Sequence, residues 1–297
     1  MHTQIRSILF SAFWAAVSPA VAASPAAVIA DPAGDAKFPP SLAQTTVPSH
    51  GVEMDAWFYQ AAGPGPHGTV LLPHGLPGYE SNGDLAQSIR RAGWNVLMFN
   101  YRGTWGTGGN FSISSAMDDV AAAVRFLRAP ATIAKYRLDP RRLVTIGHSF
   151  GGFAAGYEAS RDKGIAGVAV ITAPNLGKIN DDPKERATRL ERWGTQLHPV
   201  HGTTAAALFA EAARHEMDWN YVRWADALRS RPVLLIAAHD QNRKDMQALA
   251  TALNGAPLLE SRYVQTDHSF SDHRIALQTI VIEWLGRLAR RRTADER

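Results

Sequence analysis

Leu143-Val144-Thr145-Ile146-Gly147-His148-Ser149-Phe150-Gly151-Gly152 is the stretch on which the reading of this chain turns. Residues 143–146 are apolar or β-branched and read as a short strand, and 150–160 read as a helix. The turn between them carries the pattern G-x-S-x-G. The spacing has a steric cause. A serine on a tight strand-to-helix turn sits in strained backbone, and side chains at the flanking positions would strike the neighbouring main chain. Gly147 and Gly151 therefore permit the turn. The helix that follows aims its positive N-terminal end at the point where an oxyanion would develop, and Gly152 leaves room for close helix–strand packing. Ser149 is the candidate nucleophile. The plainer reading is a buried serine that does no more than cap a helix.

Strands and helices alternate on both sides of this turn. Val52–Gln60 and 69–74 read as strands, joined by the turn-rich Gly63-Pro64-Gly65-Pro66-His67-Gly68. Leu85, Ile89 and Ala92 recur at helical spacing until Gly93, and Asn95–Phe99 is a short apolar strand. A helix follows whose start is read at Ser115-x-x-Asp118, a capping-box pattern, with Val120, Ala121, Val124 and Leu127 on one face. Beyond the serine turn, 165–171 and 233–238 read as strands, 244–253 as a helix, 258–265 as a strand and the chain from Arg274 as a last helix. Short, continuously apolar strands separated by helices imply an α/β fold whose mostly parallel sheet is covered by helices on both faces. Residues 176–231 are helical in pattern and richer in Trp, and are expected to form a helical cap insertion over the sheet.

A lone serine is a weak nucleophile and needs an oriented base. Asp240 lies just beyond the strand 233–238 and His268 just beyond the strand ending near Gln265. Both therefore fall at the carboxyl edge of a parallel sheet, where open α/β folds bind ligands. The order Ser149, Asp240, His268 makes these the expected nucleophile, acid and base. Asp267 is adjacent to His268 and poorly placed to face its ring, Asp245 falls on the next helix, and His273 is the rival base. His148 and His239 read as structural. An oxyanion hole needs two donors: the backbone N–H of Phe150 and one from the loop His74-Gly75-Leu76-Pro77-Gly78, for which Leu76 is expected, since Pro77 has no N–H. His74 and Gly75 would support that loop, although a simple Gly-Pro turn is the plainer alternative.

Composition narrows the field. The chain has no Cys, which excludes disulfides, thiolate zinc sites and a cysteine nucleophile. The net charge of +4 is interspersed except at the C-terminal end, so nucleic acid is not an expected partner. The amino terminus carries Arg6, an apolar run over 8–17 and the small-x-small site Ala20-Val21-Ala22. It reads as a cleavable signal peptide over 1–23, with export to a periplasm or the medium and no stable membrane insertion after its removal. Residues 24–48, rich in Ala and Pro, are expected to be a linker or an arm on the domain, 49–292 the domain itself and 293–297 a charged tail.

Taken together, these motifs resemble the α/β-hydrolase superfamily, and within it the esterases and serine peptidases that include prolyl oligopeptidase-like catalytic domains. The resemblance spans roughly 52–290. It rests on His74 to Gly78, Asn100-Tyr101-Arg102-Gly103, Gly147 to Gly152, Asp240 and Asp267-His268-Ser269-Phe270. It implies an α/β-hydrolase fold, a serine triad of Ser149, His268 and Asp240, a loop-holding role for His74 and a structural one for Arg102. About fifty residues precede the first strand, too few for the propeller that gates prolyl oligopeptidases. A serine at position 149 argues against the dehalogenase and epoxide hydrolase branches, which use Asp there, and the absence of Cys argues against dienelactone hydrolase. Carboxylic-ester hydrolysis is the first expectation, exopeptidase or amidase activity the second, and a non-catalytic binding protein on the same fold the third. The substrate would be a small ester or short peptide, and no cofactor or metal is called for. His198 and His201 look metal-like but lack a metal motif and read as cap histidines. Trp193, Phe209, Trp219, Tyr221 and Trp224 would either line an acyl pocket or pack.

Overall fold

The apolar runs become a single sheet. The computed structural model describes residues 24–295; the leader expected over 1–23 and the last two residues of the charged tail lie outside them. The strands β1 (Ser41–Ser49), β2 (Val52–Gln60), β3 (His67–Leu71), β4 (Asn95–Phe99), β5 (Leu138–His148), β6 (Gly167–Ile171), β7 (Val233–Ala237) and β8 (Leu259–Tyr263) form one sheet. Its order is β1-β2-β4-β3-β5-β6-β7-β8. β2 runs antiparallel to β1 and β4, and every pair from β4 to β8 is parallel. This is the α/β-hydrolase architecture. The stretch expected to be a linker or arm is corrected in part: Ser41–Ser49 is an edge strand in register with all of β2, and Val47 is fully buried.

Both sheet faces are covered, which explains why the strands read as continuous apolar runs. Along β3 and β4, Leu71, Leu97 and Phe99 join one core cluster, while Val70, Val96 and Met98 join the other. That is the period of two expected of a strand, with both phases buried. Helices α3 (Ile113–Arg128) and α5 (Phe150–Arg161) cover the first face. Helices α2 (Gly83–Arg91) and α10 (Arg274–Asp295) cover the second. A short helix α1 (Ala26–Ile29) lies against α2, where the Arg91 guanidinium donates to the carbonyls of Ala27 and Val28. A further short helix, α4 (Pro130–Tyr136), leads into β5.

The start of α3 also needs correction. Its N-cap is Ser112, not Ser115: Ser112 Oγ accepts from Ser115 N–H at 2.9 Å while Ser115 Oγ accepts from Ser112 N–H at 2.8 Å. The capping box is thus built by two serines, with Ser115 at its third helical position. The buried Glu211 carboxylate, from α7 (Ala205–Arg214), accepts the next two free N–H groups, of Ile113 and Ser114. An anion at a helix N-terminus is favoured by the helix dipole, and here it ties the insertion to the sheet layer.

The insertion is helical as its pattern suggests. It comprises a 3₁₀ turn at Leu176–Lys178, α6 (Pro183–Gln196), α7, a second 3₁₀ turn at Tyr221–Trp224 and α8 (Ala225–Leu228). Phe209, Trp219, Tyr221 and Trp224 are buried in the core, with Tyr221 Oη donating to the Ala173 carbonyl and Trp224 Nε1 to that of Asp218. These four aromatics therefore pack. The His198 to His201 segment joins the loop after β4 through its backbone: Trp105 N–H donates to Pro199, His201 N–H to Gly103 and Phe111 N–H to His201. α9 (Arg243–Ala252) completes the set after β7.

Candidate active site

The site is assembled where β5, β6, β7 and β8 end. Ser149 follows β5 with φ 57° and ψ −129°, a left-handed value that a residue with a side chain adopts only under constraint. The constraint is visible on both sides. A Cβ at position 147 would land on the carbonyl of Gly151, and one at position 151 on the carbonyl of Pro73. Both flanking glycines are thus sterically required. Ser149 N–H donates to the Ile171 carbonyl at 2.9 Å, pinning the turn to β6.

Ser149, His268 and Asp240 form one hydrogen-bonded chain. Ser149 Oγ lies 2.9 Å from His268 Nε2, and His268 Nδ1 lies 2.6 Å from Asp240 Oδ2. With the carboxylate as acceptor, Nδ1 carries a proton, which leaves Nε2 able to accept from the serine. The rival His273 instead lies beside Asp272, with 2.8 Å between Nδ1 and Oδ1. Asp267 accepts from Ser271 N–H and Oγ, and His239 Nδ1 lies 2.8 Å from Tyr263 Oη. Asp245 is on α9, where burial pushes its carboxyl up. None of these four takes part in the chain through Ser149.

Asp240 is held by partners that the sequence does not announce. Its side chain is only 5% exposed. Thr172 Oγ1 donates to Oδ2 at 2.7 Å and the Asn242 N–H to Oδ1 at 2.9 Å. Asn242 Nδ2 in turn donates to the Thr172 carbonyl at 2.9 Å, and Thr172 itself has φ 39°, rare for a β-branched residue. His148, read as structural, reaches into the site as well. Its Nε2 donates to the His268 carbonyl at 2.7 Å, and its ring lies 4.8 Å from that of His268. Burial, with His268 beside it, pushes its pKa down to about 3, so the ring is neutral.

The loop from His74 to Gly78 closes the other side. Gly75 backs onto Ser149, and a Cβ added there would sit 3.4 Å from the serine Cβ. Tyr101 Oη donates to the His74 carbonyl at 3.0 Å. The His74 ring lies tilted against that of Tyr101, with 4.6 Å between centroids, and burial pushes its pKa down to about 4. Arg102 holds the neighbouring turn by binding Asp119 through Nε at 2.5 Å and through its backbone N–H at 2.9 Å. Leu76 and Phe150 line one cavity of about 180 Å³ with Ser149 and His268. Among the described residues, no backbone partner takes the N–H of Leu76 or of Phe150. Over this cavity lies α6, contributing Trp193 together with Arg189, Arg192 and Gln196. Of the five cap aromatics, Trp193 alone lines this cavity. The cationic side of the opening escapes sequence reasoning, because the pattern of 176–231 singles out its aromatic residues and not Arg189 or Arg192.

The family follows from both the fold and a direct match. Residues 69–292 match the model of the alpha/beta hydrolase family, and the chain belongs to that family. The curated relatives are more distant. The chain is 30% identical over 106 residues to the uncharacterized protein YfhR of Escherichia coli, covering 34% of this chain and 36% of that one. It thus spans about a third of the length of the curated relative it matches. Among solved structures it is similar to the Pyrococcus furiosus esterase Pf2001 (TM-score 0.58, 18% identity, 84% of this chain and 91% of that one). It is similar also to the Pyrococcus horikoshii acylaminoacyl peptidase (TM-score 0.61, 14% identity, 84% and 41%). At these identities the likeness is one of fold.

Proposed function

We propose that this α/β-hydrolase cleaves carboxylic esters through an acyl-enzyme on Ser149. The observation that carries the reading is the unbroken chain from Ser149 Oγ through the His268 ring to Asp240, set beside Leu76 and Phe150, which line the same cavity and whose backbone N–H groups have no backbone partner among the described residues. In the proposed cycle His268 Nε2 takes the Ser149 proton as Oγ attacks the carbonyl carbon. The N–H groups of Phe150 and Leu76 stabilise the oxyanion. Collapse of the tetrahedral adduct expels the alcohol, which takes the proton from His268. A water, deprotonated by His268, then attacks the acyl carbon, and the acid leaves as the proton returns to Ser149. Asp240 keeps Nδ1 protonated and stabilises the imidazolium.

Fluorophosphonate labelling tests this directly. A single adduct on Ser149, absent from Ser149→Ala together with a loss of p-nitrophenyl ester turnover of about 10⁵-fold or more, is the expected result. A folded protein that takes no label and turns over no ester would be a binding protein on the same fold. Likeness to an acylaminoacyl peptidase favours amide cleavage as the second reading. Aminoacyl-p-nitroanilides turned over as efficiently as p-nitrophenyl esters would put it first. We also propose export directed by residues 1–23, for which the mature protein would begin at Ala23 or Ser24 when the chain is expressed with its leader. Among the described residues no helix is long and apolar enough to cross a membrane.

A further inference from the structure

The cavity at Ser149 is apolar on one side and cationic on the other. Leu76, Phe150, Pro174 and Ile179 form the apolar wall, and Arg189 and Arg192 reach in from α6. The two arginines are three positions apart, so they share one face of the helix. Arg189 has a carboxylate partner, Glu185, at 2.9 Å one turn earlier. Arg192 has no carboxylate partner among the described residues. The charge of Asp240 reaches Arg192, but the Asp240 oxygens are already taken by His268, Thr172 and Asn242. Arg192 is solvent-exposed where α6 meets the cavity, and partial desolvation together with the like charge of Arg189 weakens its hold on its proton. Arg186, on the same helix, shows the contrast of a cation used only for structure: it bonds Asn180 at 2.9 Å and lies over the Phe209 ring away from the cavity.

A guanidinium at the rim of the Ser149 cavity, with no protein carboxylate bound to it, is solvated while the cavity is empty and free to pair with an anion that enters. Resting on the ester-hydrolase reading, we propose that the ester cleaved at Ser149 carries one ionised carboxylate, and that Arg192 binds it. A single unpaired guanidinium matches a single negative charge, and its planar fork matches the two oxygens of a carboxylate. Arg189, neutralised by Glu185, shapes the opening beside it. The substrate class is the half-ester of a dicarboxylic acid, or an ester of a hydroxy acid, in place of a neutral ester.

The experiment compares mono-(4-nitrophenyl) adipate with 4-nitrophenyl hexanoate, which have equal acyl length and differ by the carboxylate. For the unmodified protein kcat/KM is expected to favour the adipate, with the preference shrinking as salt is added. Arg192→Gln should lower the adipate-to-hexanoate ratio by about tenfold to a hundredfold, mostly through KM, and Arg192→Lys should restore part of it. Arg186→Gln, which removes the same charge from the same helix, should leave the ratio unchanged. A preference for hexanoate, or an equal fall in the ratio with Arg186→Gln and Arg192→Gln, overturns the proposal while leaving the serine reading intact. Turnover that survives Ser149→Ala overturns the serine reading instead. Binding of monomethyl adipate to the Ser149→Ala protein, measured by calorimetry, then tests Arg192 alone: at least tenfold weaker binding with Arg192→Gln upholds the carboxylate site, and unchanged binding removes it.

Discussion

His148 precedes Ser149, yet its ring bears on His268, the proposed base. Its neutral ring donates from Nε2 to the carbonyl of His268 at 2.7 Å, so it fixes the backbone from which the base projects. The low pKa of about 3, caused first by burial and then by the neighbouring His268, keeps this ring uncharged at any pH where an esterase would work and keeps a second positive charge away from the imidazolium. Replacing it by Leu removes one hydrogen bond that orients the base. Such a bond is worth about 1 kcal/mol, so His148→Leu is expected to lower kcat by about fivefold with KM changed by less than about twofold, and His148→Gln to restore part of the loss. A drop in melting temperature with kcat unchanged would show that the ring only packs. Gly147→Ala acts differently: its Cβ would land on the Gly151 carbonyl, which is backbone and cannot swing away. It should cost about 3 kcal/mol or more, read as a lowered midpoint in urea or loss of soluble protein.

At the scale of elements, α5 carries the turn and also stores a pH dependence. Glu158 is buried on its inner side, and burial, with Asp162 adding to it and Arg128, Arg125 and Arg161 opposing, pushes its pKa up to about 7. The folded state thus holds this proton more tightly than the unfolded chain. Its contribution is fully present below about pH 4.5 and is lost as pH rises towards 7, by up to about 3 kcal/mol. Glu158→Gln is expected to raise the melting temperature by several degrees at pH 8 and much less at pH 4.5; an equal gain at both would mean that Glu158 is ionised in the fold. Such burial is invisible in a string of letters, whereas the strand-turn-helix around Ser149 is not. Its apolar run and required glycines are local facts, which is why β2, β4 and the serine turn were legible. β1 was not, because Ser41–Ser49 is an edge strand with few apolar residues and a proline near its end, the composition edges favour. The start of α3 was misplaced because Ser112 and Ser115 both suit a cap, and only the paired N–H groups decide between them. Thr172 stayed hidden because its bearing on Asp240 arises from how β6 and β7 lie side by side.

At the scale of the whole molecule, the two layers flanking the sheet are fixed by dense apolar packing, and the cap is not uniformly so. α7 joins the core through Leu208 and Phe209 and grips α3 through Glu211. α6 has no buried residue at all. It is held by Leu190 and Leu197, both partly buried, by Trp193 against Phe209 at 5.3 Å, and by a long hydrogen bond from Tyr79 Oη to the Gln196 carbonyl at 3.4 Å. Little apolar area therefore opposes its local opening, and the free energy of that opening should lie far below that of the sheet. The same helix brings Trp193 and both arginines to the Ser149 cavity, so whatever enters the cavity must act on the most weakly held element in the cap. Hydrogen exchange followed by mass spectrometry is expected to show amides of Pro183–Gln196 exchanging at least about a hundredfold faster than those of α5, and slowing when monomethyl adipate is bound to the Ser149→Ala protein. Trp193→Ala should speed the exchange of α6 further while leaving α5 unchanged. Equal protection of the two helices in the unliganded protein would show that α6 opens only with the fold, and that substrate enters a cavity already rigid.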